Sequence, residues 1–266
     1  MATISDPYTL RYGNDEFAGA TLPRNTTLDG LLAHRSVRAF LDKPLAPEIL
    51  PTLVAAAQSA ASSSNLQLWS VIAVEDRAKI ARLSELAGNQ PHIREAPLFL
   101  VWLLDFARLR KVAQSRNGDP QFLSSFNGWT TGAIDVGLAA QNAVVAAESL
   151  GLGTVYIGAL RRDPVAVAAE LELPQETFPL LGLSIGYPDP ARPTAIKPRL
   201  SQAAVLHRER YTPTEPAEID RYDERLVEFF EAQKLPHVAW SKQTTERLAH
   251  RDQLAQAAAK LGFSLG

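Results

Sequence analysis

The sequence of 266 residues contains no cysteine and no long apolar run, and its formal net charge is only −2. The absence of cysteine excludes disulfides, thiolate metal sites and cysteine nucleophiles. A net charge this small gives no general attraction to nucleic acid or to an anionic membrane. The longest apolar runs, such as PLFLVWLL at 97–104, are too short to span a bilayer. The N-terminus lacks the basic and apolar regions of a secretory signal, so a soluble cytoplasmic protein is expected.

The composition, 46% hydrophobic and 21% charged, is that of a globular protein. We predict three segments: an extended N-terminal arm at 1–27, which lacks periodicity, a core at 28–212 and a C-terminal helical extension at 213–266. Residues 105–128 are polar and irregular, which is typical of a mobile loop or lid. Apolar spacing predicts helices and apolar runs predict strands: helices at 47–61, 76–88, 130–153, 163–171, 216–234 and 242–262, and strands at 69–74, 96–105, 154–160 and 179–188.

The apolar character of two of these elements predicts deep burial. The segment APLFLVWLLD at 96–105 is apolar at nearly every position, which indicates a strand buried on both faces. The helix at 130–153 is small and apolar nearly all round, so we expect it to be buried. The alternation of elements predicts a mixed α+β domain in which helices enclose a sheet.

The usual catalytic and metal-binding motifs do not occur in the sequence, which contains no G-x-S-x-G, Walker A or HExxH pattern. The histidines at 34, 92, 207, 237 and 250 show no ligand spacing, so no metal is predicted. Glu95, Asp105 and Asp135 could act as acids or bases, but an ordinary surface or capping role explains each of them. No catalytic side chain is therefore predicted.

Three polar clusters point to a ligand, although each also has a plain structural explanation. His34-Arg35-Ser36-Val37-Arg38 could bind an anion or form a solvated basic edge. The hydroxyl and amide groups of SSSNLQ at 62–67 could bond a polar heterocycle or form a turn. Lys197-Pro198-Arg199 places two further cations in a stiff segment.

Taken together, six blocks in order resemble the FMN-dependent nitroreductase superfamily, in particular its oxygen-insensitive, NADPH-dependent nitroreductases and flavin reductases. The resemblance is dense over about residues 30–211 and weaker in the C-terminal helices. The blocks are HRSVRAF, SSSNLQ, GNQPHIREAP, DVGLAAQNAVVAAESLGLGTVYIG, FPLLGLSIGYP and KPRL.

The resemblance implies a homodimer with FMN at its interface and a mixed, mainly antiparallel sheet flanked by helices. It also implies which residues bind the cofactor: His34, Arg35, Ser36, Arg38, Ser62, Ser63, Ser64, Gln67, Gln90, Tyr156, Ile157, Gly158, Ala159, Lys197 and Arg199. Asn65 and Arg251 are the implied substrate contacts. The basic residues suit a phosphomonoester of about −1.5 to −2 charge, and Gly158 would let the backbone approach the flavin ring closely.

The implied activity is a ping-pong reaction in which NADPH or NADH gives hydride to N5 of FMN. A nitroaromatic, quinone or free flavin then takes two electrons in the same pocket. Gln233 stands where relatives carry a basic residue for the NADPH 2′-phosphate, and Lys234 or His237 could substitute for it, so the choice of nucleotide stays open. Two alternatives also stay open: a flavin-binding carrier or sensor without turnover, and other FMN chemistry such as dehalogenation or flavin fragmentation.

Overall fold

The computed structural model describes residues 6–13, 16–17, 19–249 and 253–264. The chain forms two compact units. The larger unit contains the described residues of Ser36–Pro193 and Gln253–Gly266, and the smaller contains those of Met1–Arg35 and Thr194–Asp252. These boundaries fall at other positions than the predicted segments 1–27, 28–212 and 213–266, which remain a prediction from the sequence.

The larger unit is built on a four-stranded sheet in the order β1-β2-β4-β3, with antiparallel pairing throughout. A single parallel bridge joins Ser36 to Thr154 at the β3 edge. The prediction of a mixed, mainly antiparallel sheet flanked by helices is thus confirmed. The strands are β1 (Trp69–Val74), β2 (Leu98–Asp105), β3 (Gly153–Ile157) and β4 (Thr177–Gly186).

Every residue of β2 is buried, as its unbroken apolar sequence predicts. Side chains on a strand alternate between the two faces of the sheet. Leu98, Leu100, Trp102 and Leu104 enter one core with residues of α3 (Ile49–Gln58), α7 (Phe126–Ser149) and α11 (Leu254–Lys260). Phe99, Val101 and Leu103 enter a second core with residues of α4 (Arg77–Leu86), α5 (Pro91–Glu95) and α8 (Pro164–Glu170). Helices therefore cover both faces of the sheet.

Helix α7 begins at Phe126, four residues before the predicted start, because the Ser125 side chain caps it by accepting from the Gly128 N–H. A Cβ on Gly132 would stand 2.1 Å from Leu104, so glycine permits close packing on the sheet. The prediction that this helix is buried nearly all round is wrong for the single chain. Ile134 and Leu138 are 55% and 43% exposed on the side away from the core.

Three other predictions about secondary structure are corrected. The N-terminal arm is not extended throughout, since α1 (Pro7–Tyr12) is helical and the Asp6 side chain accepts from the Thr9 N–H. The predicted lid contains α6 (Ala107–Ser115) and a 3₁₀ turn at Gln121–Ser124. In place of one helix at 242–262 there are two, α10 (Trp240–Leu248) and α11.

Helix α6 was not predicted because its sequence shows little apolar character. Polar contacts hold this helix instead. Arg110 forms an ion pair with Glu176, which precedes β4, and Leu109 packs on the first core. Helices predicted elsewhere are confirmed with small shifts: α3, α4, α8 and α9 (Pro216–Ala232). A further helix, α2 (Thr26–Leu32), begins at the end of the predicted arm. Pro51 falls in the first turn of α3, where the missing N–H leaves no helical bond unmade. Among the helices that the structure describes, none has the length and apolar character to cross a membrane.

Candidate functional site

The SSSNLQ segment forms a strained loop between α3 and β1. Ser64, Asn65 and Gln67 have φ angles of 49°, 54° and 51°, in the left-handed region that non-glycine residues rarely adopt. Ser63 and these three residues are exposed, whereas Ser62 is half-buried. Strain of this kind persists only where surrounding contacts hold the backbone in place, and it concentrates at ligand sites.

The buried carboxylate of Asp135 supplies those contacts from the middle of α7. Asp135 is 2% exposed, and its Oδ2 accepts from the Ser62 hydroxyl at 2.8 Å and from the Leu68 N–H at 3.2 Å. Its Oδ1 accepts from the Ser63 N–H at 3.1 Å. The Ser62 hydroxyl oxygen in turn accepts from the Gln67 N–H at 2.8 Å. The Ser62 side chain is thus engaged inside the loop, and Asp135 fixes both ends of the segment.

Arg108 of α6 holds the exit from the same loop. Its guanidinium donates to the carbonyl oxygen of Gln67, to that of Trp69 at 2.9 Å and to the Ser70 hydroxyl at 3.1 Å. The part of the predicted lid that forms α6 therefore supports the loop through this arginine.

Arg38 and Gln90 also belong to the larger unit. The Val37 N–H donates to the Thr154 carbonyl at 2.9 Å, which fixes the segment that carries the exposed Arg38. Burial, and next the positive charge of Arg38, lower the pKa of His92. The Gln90 side-chain amide donates to the Ala87 carbonyl at 3.1 Å.

The end of β3 presents the predicted Tyr156–Ala159 segment. Tyr156 is 37% exposed and Ile157 is buried, as their alternation along the strand requires. A Cβ on the exposed Gly158 would meet only the flexible Arg161 side chain, with Nη2 at 3.2 Å. No backbone atom is among those nearest contacts, and Gly158 is exposed to an approaching ligand.

The smaller unit brings His34 and Lys197 together. The guanidinium of Arg11 donates to the carbonyl oxygen of His34 at 2.6 Å and to that of Lys197 at 2.8 Å. Lys197 Nζ also lies 5.2 Å from the centre of the Phe230 ring. Arg199 and the predicted ligand Arg35 are exposed in the same unit. Arg11 thus bonds to both predicted basic segments, which are far apart in the sequence.

Two sequence families match most of the chain. The pattern described as "Nitroreductase family" matches residues 31–187, and "Nitroreductase family, C-terminal domain" matches residues 197–266. The chain belongs to the nitroreductase family. Similar curated proteins include "FMN reductase [NAD(P)H]" of Bacillus subtilis, 42% identical over 77% of this chain and 83% of that protein. "NADPH-flavin oxidoreductase" of Vibrio harveyi is 36% identical over 85% of this chain and 92% of that protein.

Solved structures extend the likeness of this nitroreductase to the fold. "Structure of B. megaterium NfrA2" has a TM-score of 0.88 at 38% identity, covering 91% of this chain and 100% of that one. "NADPH:FMN oxidoreductase from Vibrio harveyi complexed with NAD+" has a TM-score of 0.80 at 34% identity, covering 90% and 99%. The family matches begin at residue 31, so α1 and the start of α2 lie outside them.

The residues discussed for the nucleotide lie at the end of α9 and just beyond it. Gln233 is the C-cap of α9, and Lys234 follows it with a φ of 54°. His237 Nε2 lies 3.9 Å from a Glu231 carboxylate oxygen. Arg251 falls outside the residues that the structure describes. In the described ranges, no group of three or more histidine, aspartate or glutamate residues is placed to hold a metal.

The sequence interpretation missed the organising role of three residues: Asp135, Arg108 and Arg11. The ordinary surface or capping role predicted for Asp135 is wrong, because the residue is 2% exposed and holds the loop. A signal was present for Asp135, because it is the one charged residue in the apolar run from 130 to 147, and a carboxylate in such a setting needs buried donors. Arg108 and Arg11 stand in polar segments that contain several other charges. Nothing in the local sequence distinguishes them from solvated arginines.

Proposed function

We propose that this protein is an FMN-dependent NAD(P)H oxidoreductase. The observation that carries the proposal is the likeness to proteins named as FMN reductase and NADPH-flavin oxidoreductase over 83% and 92% of their lengths. FMN supplies the hydride chemistry when bound, accepting two electrons at N5 and returning them to an acceptor, so no acidic or basic side chain is required for that step. A cytoplasmic location belongs to the same proposal.

The chain's own residues bind and orient the cofactor in this proposal. Cationic groups bind the phosphate, and the exposed polar groups of the strained loop bind the flavin ring. The left-handed loop supports this role, because Asp135 and Arg108 hold its donors and acceptors in place before a ligand arrives. The exposure of Gly158 at the end of β3 supports it too. The cationic groups are His34, Arg35, Arg38, Lys197 and Arg199, and the other proposed cofactor contacts are Ser36, Ser62, Ser63, Ser64, Gln67, Gln90, Tyr156, Ile157, Gly158 and Ala159.

Steady-state kinetics separate an enzyme from a flavin carrier. With NADPH and a quinone as varied substrates, we expect parallel lines in double-reciprocal plots, because the first product leaves before the acceptor binds. Turnover that needs both substrates bound together would give intersecting lines and contradict the ping-pong scheme. Binding of FMN without NADPH oxidation would favour the carrier, and a preference for a halogenated acceptor would favour dehalogenation.

Asn65, exposed in the loop, is our candidate acceptor contact, together with Arg251.

We further propose a homodimer that places FMN at its interface. The support within the chain is an exposed apolar stripe on α7, formed by Ile134 and Leu138 one turn apart. An apolar stripe of this kind on the longest helix suits a self-complementary interface about a two-fold axis.

The stripe can be tested by inserting a charge. We expect Ile134→Glu to shift the protein from dimer to monomer in light scattering, because a buried unpaired carboxylate opposes association. Val112→Glu is the matched control, since Val112 is 51% exposed on a different helix, α6. A wild-type monomer, or an Ile134→Glu variant that stays dimeric at low micromolar concentration, would refute this interface.

A further inference from the structure

Arg11 stands at the end of α1 and is 5% exposed, which is unusual for an arginine. Its Nη2 donates to the carbonyl oxygen of Leu32 at 2.8 Å and to that of His34 at 2.6 Å, and its Nη1 donates to that of Lys197 at 2.8 Å. The planar guanidinium holds its N–H donors in a rigid fork. One side chain therefore fixes the last residue of α2, the start of the first basic segment and the start of the second.

The main chain of Arg11 adds to this connection. Its carbonyl oxygen accepts from the Arg199 N–H at 3.0 Å and from Arg225 Nη2 at 3.0 Å. The Tyr222 hydroxyl donates to the Pro198 carbonyl at 3.2 Å, and Tyr222 is 7% exposed. Each residue of the Lys197-Pro198-Arg199 segment thus has a backbone group held by a buried neighbour in the same unit.

Cations gathered near one another repel, so contacts other than those to the ligand must hold them there. A site whose groups are already in place also binds more tightly than one that must be ordered on binding. The hydrogen bonds described above join Arg11 to backbone groups of His34, Lys197 and Arg199, so they set the course of the main chain that carries these cationic side chains.

We propose that Arg11 is a positioning residue for cofactor binding, which holds the two basic segments in the arrangement that meets the phosphate of FMN. This inference rests on the proposed function. Arg11 lies in the N-terminal segment that precedes the family match at residue 31.

The test compares two flavins that differ only in the phosphate. Full-length protein freed of flavin is titrated with FMN and with riboflavin. For Arg11→Gln we expect the Kd for FMN to rise about tenfold or more, while the Kd for riboflavin changes by less than about twofold. Arg11→Lys keeps the positive charge but loses the fork, and we expect it to restore little of the FMN affinity.

Two further variants control for folding and for charge. Tyr222→Phe removes only the hydroxyl that donates to Pro198, and it should weaken FMN binding selectively by a smaller factor. Arg221→Gln removes an exposed charge on α9 that pairs with Glu218, and it should bind both flavins as the wild type does. Melting temperatures of the flavin-free proteins show whether each variant is folded.

The outcomes are distinguishable. Selective loss of FMN binding in Arg11→Gln, unrescued by lysine, supports the positioning role. Full rescue by Arg11→Lys would show that only the charge matters, and equal weakening of both flavins would show a general structural role; either result overturns the inference. Unchanged FMN affinity in Arg11→Gln would overturn it while leaving the proposed function intact. A wild-type protein that binds no FMN would instead overturn the proposed function.

Discussion

Replacing Asp135 with alanine is expected to destabilise the protein by about 2–4 kcal/mol and to abolish tight flavin binding. The reason is that the backbone N–H groups of Ser63 and Leu68 and the hydroxyl of Ser62 lose one shared acceptor. The Leu68 N–H is buried, so water does not replace the lost bond easily. The left-handed conformations of Ser64, Asn65 and Gln67 would then lose the contact that holds them.

Thermal unfolding of the flavin-free protein and flavin titration measure the two effects separately. Asp76→Ala is the matched control, because Asp76 caps α4 by accepting from the Lys79 N–H at 2.7 Å at an exposed site. Loss of that cap should cost about 1 kcal/mol and leave flavin affinity unchanged. If Asp135→Ala bound FMN as tightly as the wild type, Asp135 would not organise a flavin site.

Removing the predicted phosphate ligands should produce the second large effect. We expect Arg38→Ala and Lys197→Ala each to weaken FMN binding by about 1.5–3 kcal/mol, because each side chain is proposed to make a charge-assisted contact to the phosphate. Raising the salt concentration should weaken FMN binding to the wild type more than to the double variant, since fewer charged contacts remain to be screened.

Arg82→Ala provides the comparison for these variants. Arg82 is an exposed arginine on α4 that pairs with Glu85, so its loss changes the net charge equally. We expect unchanged FMN affinity for Arg82→Ala. Equal effects of Arg82→Ala and Arg38→Ala would mean that FMN responds only to net charge, and the assignment of Arg38 would be rejected.

Elements set by local pattern were predictable from the sequence. The unbroken apolar run of β2 predicts its burial on both faces of the sheet. Asp163 followed by Pro164 predicts the start of α8. The start of α3 was predicted two residues early, at 47, whereas the helix begins at Ile49 and has Pro51 in its first turn. These patterns involve only neighbouring residues, so they can be recognised in the sequence without knowledge of the fold.

Elements held by distant partners were not predictable. Helix α6 depends on the ion pair from Arg110 to Glu176, whose residues are 66 positions apart. The loop at 62–67 depends on Asp135, 73 positions beyond Ser62. Arg11 meets Lys197 across 186 positions. Asp135 stands out in its apolar run, but nothing in the sequence names its partners, and Arg110 and Arg11 are ordinary in their polar segments. Only the fold shows what each of these side chains bonds to.

The most direct test of the central claim is anaerobic rapid mixing of the purified, yellow protein with NADPH and, separately, with NADH. We predict that the visible flavin absorption bleaches with at least one nucleotide and returns when a quinone or nitroaromatic compound is added. The ratio of the two bleaching rates decides the nucleotide preference. A colourless protein that takes up no added FMN, or a bound flavin that neither nucleotide bleaches, would contradict the assignment as an FMN-dependent NAD(P)H oxidoreductase.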